Sequence, residues 1–208
     1  MRMKIVAYNN EELARLSGPQ SAGQPQAIPW IYYDTQSYTS GTTTSLNFFQ
    51  TVQADPTLGN LPQPASLDSP KFFAIESVGF DVLLRPAAQA GHASTGPIDD
   101  IAQLLFGQRG ILTFTYQNKA YGPWPLSAYQ ASGGATGFGW ATMTAEAQVS
   151  YANNGIPSGE GWGMNQQIIL RPNAAFKWSA AWAAAITLAA GNTNLRLWMY
   201  GAQYQAVV

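Results

Sequence analysis

The cleanest alternation of apolar and polar positions is Ile111–Gln117. Leu112, Phe114 and Tyr116 fall on one side, and Thr113 and Thr115 on the other. That period of two predicts a half-buried strand. Asn118-Lys119 then predicts a hairpin turn into Ala120-Tyr121-Gly122, and Pro123-Trp124-Pro125-Leu126 an extended corner. Phe72–Leu84 is apolar on both faces, as in the central strand of a sandwich. Ser45–Val52 alternates Leu46, Phe48 and Val52, with Gln50 as the exception. Trp30–Tyr33 is a short aromatic strand, and Trp140–Ser150 a mixed one. Near the C-terminus come Ile168–Leu170, Phe176–Ile186 and Leu195–Tyr200. Arg171-Pro172-Asn173 and Gly191–Asn194 join them.

Helical spacing is rare. Ile98, Ile101, Leu104 and Leu105 carry it, with Asp99 and Asp100 in the first turn and Gly107 as the stop. A helical turn or two over Asn10–Leu16 follows a short strand, Lys4–Tyr8. Ser17–Pro29 is rich in Gly, Pro, Gln and Ser, so 1–29 reads as an extended N-terminal arm and 30–208 as the folded domain. Asp55–Pro70, with four prolines, reads as a long irregular loop, Ser132–Gly139 as a glycine-rich one, and Tyr151–Gly163 as a turn-rich one. The expected fold is all-β. It is an antiparallel β-sandwich, a jelly roll of about eight strands with one short inserted helix.

Composition sharpens this picture. Hydrophobic residues make up 46% of the 208 residues, enough for a full core without cysteines, of which there are none. Their absence excludes disulfides, thiol nucleophiles and Cys-ligated metals. Charged residues make up only 10%, against about 25% in an average soluble domain. Gln, Asn, Ser, Thr, Gly and Ala take their place. Buried interface cores are depleted in charge, so the composition suggests a surface covered by copies of the same chain. The net charge of −1 gives no general field for nucleic acid. The apolar run after Met1-Arg2-Met3-Lys4 is too short for a signal peptide. Trp178–Ala190 is too short to span a membrane and reads as core.

Catalytic chemistry is scarce. His92 is the single histidine and lies in a small-residue loop, so a multi-histidine metal site cannot be built. No Gly-x-Ser-x-Gly elbow accompanies it. Glu76 and Asp81 share a strand at odd spacing, and therefore opposite faces. Glu146 and Glu160 are the better candidate acid pair for a glycosidase, although solvated carboxylates explain them more simply. Trp124, Trp140, Tyr151 and Trp162 lie in or near loops, where flat rings could stack on sugars. Aromatics also favour protein interfaces. Arg2, Lys4 and Arg15 make the arm mildly cationic, which suits a weak contact with an anionic membrane surface.

The path Phe72–Val78, a helix, Arg109–Phe114 and Lys119–Leu126 resembles the jelly-roll structural proteins of bacterial viruses. So does the ending Ile169–Pro172, Phe176–Trp178 and Leu195–Gly201. The likeness is one of pattern over roughly 70–206; single jelly-roll capsid proteins of tailless, internal-membrane phages have this size and this low charge. It implies a self-assembling virion subunit with no catalytic residues and no cofactor. Its partners would be copies of itself, other virion proteins and, through the arm, the viral membrane surface. No specific nucleic acid is expected. Shell, vertex and spike stay open. Expected contact residues are Ile28, Pro29, Trp30, Pro123, Trp124, Pro125 and, for subunit or glycan, Trp162. A carbohydrate- or receptor-binding sandwich is the alternative.

Overall fold

A computed structural model describes residues 25–83, 100, 103–129, 162–188 and 191–206. These form two four-stranded antiparallel sheets. In chain order the strands are β1 Pro25–Tyr38, β2 Ser45–Phe48, β3 Phe72–Leu83, β4 Ile111–Tyr116, β5 Lys119–Pro125, β6 Trp162–Leu170, β7 Phe176–Ala181 and β8 Thr193–Ala206. The first sheet has the order β1-β8-β3-β6 and the second β2-β7-β4-β5. Four of the pairs nest in sequence: β4 with β5, β3 with β6, β2 with β7, and β1 with β8.

The alternation in β4 is realised as read. Leu112 and Phe114 are buried, and Thr113 and Thr115 are half-buried on the other face. β7 repeats the pattern with Phe176, Trp178 and Ala180 buried. β3 is apolar on both sides and buried through most of its length. A bulge between Ile75 and Ser77 shifts its register, so Glu76 sits in the irregularity.

Trp178 is the centre of the core. Its ring lies 4.6 Å from Phe114, 6.3 Å from Tyr129 and 6.4 Å from Trp124. Its indole N–H points across to the first sheet, 3.2 Å from Met199 Sδ. Phe48 and Phe80 also meet between the sheets, at 6.0 Å. Burying one such side chain contributes about 1.5–3 kcal/mol, so these ring contacts are what holds the two layers together. Ala74, Ala202 and Tyr204 form a smaller buried cluster. Ala74 lies between the core residues Phe73 and Ile75, so this cluster is on the outer side of the first sheet.

Several elements differ from the sequence reading. β1 starts at Pro25, so 25–29 are strand paired with Ala202–Ala206 rather than arm. β2 ends at Phe48, because Phe49 adopts φ 65° and gives its N–H to Asp34 Oδ2 at 2.6 Å. Val52 is consequently exposed. Pro123–Pro125 is part of β5, not a corner, and Trp162-Gly163 begins β6, opposite Val78 and Ser77. β7 stops at Ala181, where the Trp182 N–H donates to Thr44 O and its indole to Leu104 O. The helix appears at Asp100 and 103–105, with Leu104 and Leu105 buried. Trp140–Ser150, the arm before residue 25 and the loops around His92, Gly133 and Tyr151 lie outside the described residues.

Candidate functional site

The expected contact residues fall on sheet edges. Ile28, Pro29 and Trp30 lie in β1, an edge of the first sheet. Pro123, Trp124 and Pro125 lie in β5, an edge of the second. The two groups therefore belong to different sheets. Trp162 lies in β6, the other edge of the first sheet. Prolines suit such edges because they offer no N–H to a further strand.

Trp30 is exposed at 43% of its surface and Ile31 beside it at 42%; Pro29, Pro123 and Pro125 are exposed as well. The Trp30 ring meets Tyr32 edge-on at 6.4 Å. Tyr32 is buried, packs at 5.0 Å on Phe73 and donates its hydroxyl to Gln203 Oε1 at 2.7 Å. Burial, with a smaller effect of the Asp68 charge, pushes the Tyr32 hydroxyl up to about 12. Trp124 is different. It is half-buried, facing Leu112 across the hairpin and packing on Tyr129 at 6.1 Å and on Trp178. Its ring is part of the core wall rather than a free stacking platform.

The outer face of the second sheet is nearly free of charge. Register places Ser45 and Asn47 of β2, Lys177, Ser179 and Ala181 of β7, and Ile111, Thr113 and Thr115 of β4 on that side. Ser179 Oγ donates to Asn47 Oδ1 at 2.7 Å across it. Lys177 is the one charged side chain among these eight. Short uncharged side chains on a sheet face leave little to desolvate when another surface approaches.

The outer face of the first sheet carries the charged groups. The Arg196 guanidinium lies 5.0 Å from the Tyr33 ring centre. It donates to Thr35 Oγ1 at 3.0 Å and to Thr57 O at 2.8 Å. Asp81 accepts the Trp198 indole N–H at 3.1 Å. Burial raises the Asp81 carboxyl, with the Trp198 hydrogen bond and the Arg196 charge opposing it. Glu76 is also raised by burial. On the core side of β1, by contrast, Asp34 is buried and accepts from Gln36 Nε2, Gln53 Nε2 and the Phe49 N–H. It ties β1 to the segment after β2. Asp81 and Asp34 are committed to structural hydrogen bonds.

Glu146 and Glu160, the candidate acid pair, lie outside the described residues, as do His92, Arg2, Lys4 and Arg15. Among the described residues no group of three His, Asp or Glu side chains is placed to hold a metal ion. Among them, too, no helix is long and apolar enough to cross a membrane. Comparison with protein-family models, with curated proteins and with solved structures gives no match for this chain.

Sequence reasoning did not single out Ile31, Asn60, Arg196 or the outer face of the second sheet. Ile31 follows Trp30 in the same apolar run and could have been read with it. The face of the second sheet was visible only in part, as the Thr113/Thr115 alternation, since its other members come from distant strands.

Proposed function

We propose that this chain is a structural subunit of a virion shell that assembles by packing copies of its β-sandwich. The observation that carries the reading is the nesting of the four strand pairs, β4·β5 inside β3·β6 inside β2·β7 inside β1·β8. Nested pairing of this kind is expected of a jelly roll, the architecture of many viral shells, and so supports the reading. Three further observations support it. The chain is only 10% charged. The outer face of the second sheet carries one lysine among the eight positions named. Trp30 and Ile31 expose apolar surface midway along an edge strand. Burial of uncharged polar and apolar surface between subunits is the driving force on this reading.

The test is the solution mass of the full chain across a concentration series, with electron microscopy of the assembled fraction. Particles containing many copies support the proposal. A monomer at every concentration contradicts it.

One observation favours a glycan- or receptor-binding module as a second reading, namely the exposure of the Trp30 ring. Sugar binding that is abolished in Trp30→Ala, in a protein that stays monomeric, would favour that reading over the first.

A further inference from the structure

β1 is 14 residues long and, among the described residues, stands at the edge of its sheet. A long edge strand is a template on which a second chain can add a strand. Trp30 and Ile31 make this edge apolar as well. Residues of an antiparallel strand alternate, one pointing both backbone groups at its neighbour and the next pointing both away. The outward positions here are identified by Asn60. The Tyr33 N–H donates to Asn60 Oδ1 at 2.9 Å. The Tyr33 C=O accepts from the Asn60 N–H at 3.2 Å. The Ile31 C=O accepts from Asn60 Nδ2 at 2.7 Å.

The Asn60 side-chain amide thus occupies the place of a neighbouring strand's peptide group. It accepts from one outward residue and donates to the outward residue two positions earlier. The same parity puts Pro29 and Pro25 on the open edge, where neither presents an N–H. From Pro29 to Tyr33 the edge is therefore blunted by proline at one end and by Asn60 at the other.

Asn60 is held in place from several directions. Gly59 bridges to Asp34 of β1. Tyr33 Oη donates to Pro56 O at 2.6 Å, and Arg196 Nη2 to Thr57 O at 2.8 Å. Asp55 accepts from the Thr57 N–H and hydroxyl, which closes the turn. Leu61, next in sequence, is buried in the core.

We propose that Asn60 is an edge plug that denies β1 to a second copy of this chain, so that copies do not associate by strand addition. The inference stands whether or not the chain builds a shell.

The test combines amide hydrogen exchange with thioflavin T fluorescence on the full chain. In the wild type the Tyr33 amide is expected to be protected. In Asn60→Ala, at low concentration, it exchanges about tenfold faster, the loss of one hydrogen bond of ordinary strength. On concentration, Asn60→Ala forms thioflavin-positive assemblies that the wild type does not. Adding Ile31→Lys, a charge on the opened edge, abolishes those assemblies while Tyr33 still exchanges fast. Where Asn60→Ala does not fold, Asn60→Leu, similar in volume and lacking the amide, carries the same expectations. An unprotected Tyr33 amide in the wild type overturns the proposal. So does fast exchange with no thioflavin-positive species at any concentration, or assembly that Ile31→Lys leaves unchanged.

Discussion

The indole of Trp198 lies over Gly79 so closely that a Cβ at that position would overlap the ring. The two residues are directly opposed in the β3·β8 register. Glycine is required here by the close approach of the ring. The same indole donates to Asp81 Oδ2, two residues further along β3. Gly79→Ala must push the ring aside and lengthen that hydrogen bond. It is expected to cost about 1–3 kcal/mol. Urea denaturation followed by tryptophan fluorescence measures this; an unchanged midpoint would show that the ring moves freely.

Asp81 gives a pH signature. Burial holds its carboxyl above the ordinary 3.8. The folded chain therefore binds a proton over a range where the unfolded chain has released it. The stability linked to this group is complete below 3.8 and is lost as pH rises through the higher folded value. Glu76, ordinarily 4.5, acts in the same direction. Asp55 acts oppositely. The Thr57 hydroxyl and N–H lower it, so its contribution is present above 3.8 and is lost as pH falls through its lower folded value. Asp81→Asn removes only the first effect. The stability of the wild type relative to Asp81→Asn should fall as pH rises from the ordinary aspartate range. A difference that is flat with pH, in denaturation midpoints measured across the acid range, would contradict this.

Tyr38 joins β1 to the segment after β7. It is buried, and its hydroxyl accepts the Ile186 N–H at 2.8 Å. The ring meets Trp182 edge-on at 5.2 Å. Tyr38→Phe keeps the ring contact and strands a buried N–H. The expected loss is about 1–3 kcal/mol, with no change in the circular dichroism of the folded state. Ile186 amide exchange should rise in the same variant, which separates the lost acceptor from a general repacking.

Strand content was legible in sequence wherever one face was apolar. β4 and β7 show a period of two, and β3 shows a continuous apolar run. Strand ends were not. β1 and β8 each run to 14 residues because Pro25–Pro29 and Ala202–Ala206 pair with one another. Neither segment carries an alternating pattern strong enough to reveal this alone. Phe49 ends β2 with a positive φ that nothing in its side chain requires; the buried Asp34 carboxylate, 15 residues away, draws its N–H. Trp182 and Ile186 look like more of β7, yet they are buried as an irregular segment by Leu104 O and the Tyr38 hydroxyl. Of the proposed contact surface, the edge residues around Trp30 were named from sequence. The outer face of the second sheet was not, because register decides which of its residues share a side.

The central claim, assembly through uncharged surface, is tested most directly by the mass of the full chain from light scattering over a concentration series at high and low salt. Particles of many copies are expected, and their formation should persist at high salt, because the proposed contacts contain few charges. Trp30→Ala should shift the distribution toward smaller species while the fold is retained. A monomer at every concentration and both salt levels would rule out assembly through this surface.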